Sequence, residues 1–311
     1  MPSSSGLHHV TAIAGDPRRN LRFYSDVVGL RFVKKTVNFD DPGTYHFYFG
    51  DAVGSPGSIL TFFPWANAAA GRIGAGETHE TAFAVPTGSL DAWELRLAGL
   101  GVEADVIVER FGHRVLAFRD PDGMRLSLVE GEAGEGVTPW NGVEGLNGDI
   151  AIAGFSGVTL GVADPTGTAA VLTEVFGWKN TAVDGGRRRF EAPGGGAGRF
   201  VDLVGTDAAP GRPGAGSVHH IAFRAASDAD QAAMVKRLHA TLGLHATPEK
   251  DRNYFRSVYF REPGGVLFEI ATDEPGFAID EPVATLGERL MLPAQYEAQR
   301  ARIEAVLPAL G

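Results

Sequence analysis

The sequence contains no cysteine. That excludes disulfide staples and thiolate ligands, so any metal must be held by histidine, carboxylate and water. No apolar run has membrane-spanning length, and the start, M-P-S-S-S-G-L-H-H, lacks a secretory-signal pattern. Positive charge is in short supply, with 28 Lys and Arg against 38 Asp and Glu and a net charge of −10. An acidic chain suits neither a nucleic-acid backbone nor an anionic membrane. The expectation is a cytoplasmic protein with no nucleic-acid or membrane partner. A homo-oligomer is compatible with these numbers but not required by them. Apolar residues are plentiful, at 44%, and so is glycine, with 42 of 311 residues. The first gives ample core for two ordinary domains, and the second suits tight turns between short strands.

Two runs stand out: L-H-H-V-T-A from Leu7 and V-H-H-I-A-F from Val218. Each is β-favouring and opens on two histidines. A third run, G-G-V-L-F-E-I from Gly264, carries Glu269 among apolar residues. A carboxylate inside a strand is costly unless it faces solvent or binds something.

Around these runs the chain reads as four weak repeats of strand, helix and further strands. The first has a strand at 7–13, a helix at 17–28 and strands at 31–37, 45–49 and 58–63. The second has a strand at 78–85, a helix at 90–97 and strands at 115–118 and 125–129. The third has a strand at 155–162, a helix at 168–176 and strands at 188–191 and 199–204. The fourth starts at Val218, with a helix at 228–242 and strands at 257–260 and 266–271. Their starts share a pattern (L-H-H-V-T, H-E-T-A-F, F-S-G-V-T, H-H-I-A-F), and two ends match (F-R-D-P-D-G-M-R-L, F-R-E-P-G-G-V-L-F). One such unit leaves sheet edges and an apolar face uncovered, and pairing two units would form a cup. The fold class expected is α+β, with four βαβββ units paired into two cup-shaped half-barrels. Residues 1–130 would form a first domain of units one and two, 131–154 a Gly-rich linker, 155–275 a second domain of units three and four, and 276–311 a tail with a helix at 294–306.

Matching positions in the repeats can be compared. The first-strand position holds His9, Glu80, Gly157 and His220, and the last-strand position holds Thr61, Ser127, Asp202 and Glu269. Only units one and four together supply a ligand set, His9, His220 and Glu269, with Thr61 at the fourth corner. Two His and one carboxylate on one face of a metal leave the other face open, as in non-haem Fe(II) oxygenases. Thr61 is a poor ligand, which favours three protein ligands over four. Strand alternation and equal placement in the repeats select the second histidine of each pair. His8 and His219 then sit at strand mouths, either as structural hydrogen-bonding groups or as supports for the ligands. Glu80 and Asp202 are left as structural polar groups in a cup without metal.

At these residues the chain resembles the vicinal-oxygen-chelate superfamily of glyoxalases, bleomycin-resistance proteins and extradiol dioxygenases. More narrowly it resembles dioxygenases that open hydroquinone rings. The segments that carry the likeness include V-G-L-R-F-V-K-K-T-V-N-F-D, Y-H-F-Y-F-G-D, G-S-P-G-S-I-L-T-F-F-P, D-R-N-Y-F-R-S-V-Y-F-R-E-P-G-G-V-L-F-E-I-A and, in the tail, L-P-A-Q-Y-E. The resemblance implies Fe(II) on His9, His220 and Glu269, although Mn(II) accepts the same donors. It implies a small aromatic diol and O₂ as reactants. It also implies substrate contacts from His8, Thr11, His219, Arg252 and Tyr259. Arg252 would offer fixed positive charge to an oxyanion, and Tyr259 a hydrogen bond. Their plain alternatives are a solvated surface charge and a core aromatic. Two other readings use the same scaffold: a glyoxalase-like lyase or isomerase, and a resistance protein that binds drugs or quinones without turnover. Phe47, Phe49, Phe62, Phe63 and Trp65 read as core, with some of them walling an aromatic pocket. Lys34 and Lys35 read as a solvated strand edge.

Overall fold

The computed structural model describes residues 3–131 and 134–310, so residues 132 and 133 of the expected linker lie outside it. Among the described residues, sixteen strands form two eight-stranded sheets. Unit one supplies β1 (Leu7–Ala14), β2 (Arg31–Asn38), β3 (Asp41–Gly50) and β4 (Ile59–Pro64). Unit two supplies β5 (Glu77–Val85), β6 (Val108–Arg110), β7 (His113–Arg119) and β8 (Arg125–Glu130). Unit three supplies β9 (Phe155–Val162), β10 (Lys179–Asp184), β11 (Arg187–Glu191) and β12 (Phe200–Gly205). Unit four supplies β13 (Val218–Ala225), β14 (Lys250–Asp251), β15 (Arg256–Arg261) and β16 (Leu267–Thr272).

The strand order of the first sheet is β14-β15-β16-β13-β1-β4-β3-β2, and that of the second is β10-β11-β12-β9-β5-β8-β7-β6. Units one and four therefore share one sheet, and units two and three share the other. Each sheet is joined at its middle by an antiparallel pair, β1 with β13 and β5 with β9. Within each unit the first and last strands run parallel, as a crossover through a helix requires. The fold is the α+β pair of half-barrels expected from the repeats.

Sequence signals set the helices. In α1 (Pro17–Arg22), Asp16 caps the Arg19 N–H at 2.8 Å and Pro17 opens the first turn. The short helix α2 (Leu90–Gly99) buries Leu90, Trp93 and Leu97. The start of α1 is repeated in α3 (Pro165–Ala170), capped by Asp164. Both α1 and α3 continue into a wider π-helical turn, Phe23–Val27 and Val171–Val175. There Phe23 with Tyr24 and Val171 with Leu172 are buried against the core. The longest helix, α4 (Asp228–Leu242), runs from the Ser227 cap to Gly243, whose φ of +66° closes it in the left-handed region. The tail helix begins later than the spacing suggests: Ala294–Gln299 is a 3₁₀ segment, and α5 covers Arg300–Val306. Described linker residues 134–154 contain no helix or strand. No helix among the described residues is long and apolar enough to cross a membrane.

The tail overturns one expectation. Lys34 is not solvated: its side chain is fully buried, 2.6 Å from Asp280 and 2.5 Å from Glu281. Lys35 reaches the carbonyl of Glu288 at 3.0 Å, and the Met291 N–H bonds the Lys35 carbonyl at 2.9 Å. The edge strand β2 is thus covered by residues from the far end of the chain, one way of blunting a sheet edge. The covering carboxylates lie about 246 residues away in sequence, so the local K-K pair gave no sign of them.

Candidate metal centre

Adjacent strands β16, β13 and β1 present Glu269, His220 and His9 to the inside of the first cup. The ladder explains why. Glu269 lies opposite Ala222, and the side chain two residues before Ala222, His220, shares its face. Across the central pair, Thr11 lies opposite His220, and His9 is two residues before Thr11. All three side chains are buried. Glu269 Oε2 stands 3.2 Å from His9 Nε2 and 2.9 Å from His220 Nε2, and the two imidazole nitrogens are 3.3 Å apart. It is the metal-capable cluster found among the described residues.

The donor atoms fit a divalent cation. Metal bonds of ~2.1 Å at right angles place neighbouring donors ~3.0 Å apart. Apart from the two imidazole nitrogens, buried Glu269 Oε2 has no hydrogen-bond partner. Its other oxygen, Oε1, accepts the Ser257 hydroxyl, which fixes the carboxylate. Burial alone would raise the Glu269 pKa, but His9 and His220 outweigh it and hold the carboxyl well below its ordinary range. Burial lowers His220, which favours the neutral, ligating imidazole.

The first histidine of each pair backs the second. His8 Nδ1 lies 3.0 Å from His9 Nδ1, and His219 Nδ1 lies 2.8 Å from His220 Nδ1. A metal on Nε2 leaves the ligand's proton on Nδ1, where the neighbouring lone pair accepts it. Both neighbours must then be neutral. Burial, reinforced by His9, lowers His8 well below its usual value, and burial with His220 lowers His219 to about 4.

Above the triad is a cavity of about 250 Å³. Phe39, Phe63, Trp65 and Phe255 give it aromatic walls, and His219, Arg252 and Tyr259 give it polar ones. Tyr259 lies directly across the ladder from Glu269. Arg252 Nε donates to the Tyr259 hydroxyl at 3.3 Å, and its Nη2 is 3.3 Å from Asp40 Oδ2. Thr11 and His8 do not line the cavity. Thr11 Oγ1 accepts from Thr61 at 2.8 Å, and His8 packs on Phe255. Phe47, Phe49 and Phe62 are fully buried core. A larger space of about 690 Å³, lined by Asp228, Asp251 and Arg256 among others, is an open surface groove away from the triad.

Besides Asn38, Phe39, Asp40 and Phe255, two further cavity residues escape a reading based on ligand positions alone: His46 and Tyr48 on β3. Comparing the third strands of the repeats would have exposed them, because Tyr48 faces Thr61 as Tyr259 faces Glu269.

The second cup is filled by ion pairs. Glu80 takes Arg110 at 2.5 Å, Arg125 at 3.0 Å and the Ser127 hydroxyl at 3.0 Å, while Arg189 grips Asp202 through two bonds of 2.8 and 2.9 Å. At the Gly157 corner an added Cβ would sit 2.1 Å from the Phe200 carbonyl oxygen, so no ligand side chain fits there. Guanidinium groups occupy the space that the donors fill in the first cup.

Fold and donor set together define a metal-capable, paired-module protein. The chain belongs to the glyoxalase/bleomycin resistance protein/dioxygenase superfamily, whose model matches residues 6–128 and 154–270. Among its relatives is "Putative ring-cleaving dioxygenase MhqO" of Bacillus subtilis strain 168, 50% identical over 96% of this chain and 94% of that one. Another is the chlorohydroquinone/hydroquinone 1,2-dioxygenase of Sphingobium indicum, 32% identical over 94% of this chain and 92% of that one. A crystal structure of a "putative dioxygenase" from Bacillus subtilis superposes with a TM-score of 0.95 at 47% identity, covering 100% of this chain and 99% of that one.

Proposed function

We propose that the protein is a ring-cleaving dioxygenase that opens a hydroquinone- or catechol-type aromatic diol with O₂, using Fe(II) on His9, His220 and Glu269. Mn(II) fits the same donors. One observation carries the reading: three protein donors converge on one point at the floor of an aromatic-walled cavity of about 250 Å³. The names of the relatives point the same way. Bound there, the iron would supply open coordination positions for the two reactants and electrons for their reaction.

The remaining chemistry falls to side chains. Phe39, Phe63, Trp65 and Phe255 sandwich a ring and exclude water. Burial raises Tyr259, which therefore stays protonated and donates a hydrogen bond. Arg252 holds Tyr259 in place and sets a fixed positive charge over the substrate oxygens. His219 borders the cavity, while His8 and Thr11 act through His9 and Thr61. A glyoxalase-like lyase wants a fourth protein ligand, and Thr61 is committed to His46 and Thr11 instead. We further propose two tandem sequence domains, 1–130 and 155–275, each giving one unit to either cup, with 276–311 as a strap, in the cytoplasm.

The test is O₂ uptake by anaerobically Fe(II)-loaded protein offered hydroquinones and catechols. Uptake matched one to one with diol supports the reading. Diol isomerised or bound without O₂ consumption refutes it.

A further inference from the structure

The two arms of the metal cup carry a matched pair of tyrosines. Tyr48 on β3 lies across the ladder from Thr61, and Tyr259 on β15 lies across from Glu269. Two residues earlier on each strand, His46 bonds Thr61 and Ser257 bonds Glu269. In the second cup the corresponding positions are Ala117 and Arg189. Tyrosine on both arms is thus confined to the cup with the cavity, and both rings border that cavity.

The two hydroxyls differ in what they can offer. Tyr259 accepts from Arg252, so its own proton is free to point at a ligand. Tyr48 sits at the head of a chain of bonds. Its hydroxyl is 2.9 Å from His46 Nδ1, His46 Nε2 is 2.9 Å from Thr61 Oγ1, and the Thr61 hydroxyl donates to Thr11 Oγ1 at 2.8 Å. Thr61 has one proton, and Thr11 takes it. His46 must therefore donate from Nε2, which leaves Nδ1 as an acceptor and draws the Tyr48 proton onto it. Burial, aided by His9, keeps His46 well below its ordinary pKa, so it is neutral and has one N–H to give. What Tyr48 turns toward the cavity is a lone pair.

We propose that Tyr48 is a specificity-determining residue that accepts a hydrogen bond from the ring hydroxyl lying away from the metal. His46 and Thr61 are positioning residues that lock its polarity. The inference rests on the diol reading of the site. Position decides which hydroxyl is read. The strand of Tyr48 is two removed from that of His9, or ~10 Å across the sheet at ~4.8 Å per strand. An ortho oxygen stays beside its neighbour at the metal, whereas a para oxygen reaches across the ring toward β3. A substituent that cannot donate, such as fluorine, leaves the lone pair unmet.

The experiment uses the full-length, Fe(II)-loaded protein under anaerobic calorimetry, titrated with hydroquinone and with 4-fluorophenol. Tyr48→Phe is expected to weaken hydroquinone about tenfold, as the loss of one buried hydrogen bond does, and to leave 4-fluorophenol unchanged. In steady state the same loss should appear in KM rather than kcat. Thr61→Val removes the lock while keeping Tyr48, and should narrow the preference for hydroquinone with iron content intact. A Tyr48→Phe protein that keeps the full preference, or weakens both ligands alike, overturns the assignment. Unmodified protein that binds neither ligand and takes up no O₂ with hydroquinone refutes the diol reading and this inference with it.

Discussion

Replacing Lys34 by Met tests the buried pairing of the tail. The ammonium has no solvent access and faces two carboxylates, Asp280 at 2.6 Å and Glu281 at 2.5 Å, with the Tyr254 ring 5.0 Å away. Asp280 is about a quarter exposed and can turn to water, but the Glu281 side chain is 3% exposed. Without the lysine, Glu281 keeps only long contacts from the N–H groups of Gly287 at 3.5 Å and Arg289 at 3.3 Å. Removing one partner of a buried pair costs about 3–5 kcal/mol, because the other charge is stranded. With an unfolding entropy of ~2.1 cal/mol/K per residue over 311 residues, that lowers Tm by about 5–8 °C. Adding Glu281→Gln neutralises the stranded charge and should restore more than half of the loss. Thermal unfolding of the four proteins in the cycle gives the coupling directly. A Lys34→Met loss below about 0.5 kcal/mol, the size of an ordinary surface change, refutes the reasoning, as do two losses that simply add.

His9→Ala, His220→Ala and Glu269→Ala should each lose both iron and O₂ uptake, whereas Tyr259→Phe and Arg252→Ala should keep iron and slow turnover ~10²-fold; iron per chain measured beside uptake separates the two groups. Replacing Glu80 by Gln and Asp202 by Asn should leave metal at one per chain but cost several kcal/mol, about 3–5 per stranded arginine site, in urea unfolding. Asp120 carries the remaining prediction. Burial raises its carboxyl to about 6 from 3.8, so folding favours the protonated form. Its contribution is full below pH 3.8 and lost as pH rises through 6. Asp120→Asn should therefore gain stability relative to the unmodified protein across that window, by up to about 3 kcal/mol, and the gain should be flat above pH 7. A difference that does not change with pH would show that Asp120 titrates normally.

The ligand positions were legible because a strand has a period of two and the repeats share a register. Thr11 opposite Thr61, Ala82 opposite Ser127, Thr159 opposite Asp202 and Ala222 opposite Glu269 are the same step in four units. The helix α4 was legible from its cap, its acidic first turn and Gly243. Other features depend on distant residues. Lys34 looks like a surface charge until Asp280 and Glu281 are folded onto it. Strands Val108–Arg110 and Lys250–Asp251 are too short to show a period, and Lys179–Asp184 is exposed along most of its length, so burial never imposed one. His46 and Tyr48 lie inside Y-H-F-Y-F-G-D, but that segment does not say which side chains face the cavity; their meaning comes from β3 lying next to β4.

The pairing of first unit with last also bears on how the protein is made. His9 emerges from the ribosome early, and its partner His220 follows 211 residues later. Glu269 comes later still, on the final strand. While only the first half has been made, the central strands β1 and β5 each lack one neighbour, because β13 and β9 have not been synthesised. The nascent half therefore carries two open apolar edges, the kind of surface that chaperones shield. A chain truncated before residue 267 cannot assemble the donor set, however well its first half folds. Bound metal is in this sense a receipt for completed synthesis, and a prematurely ended chain would be left both metal-free and open-edged, marked for removal before it could meet a substrate.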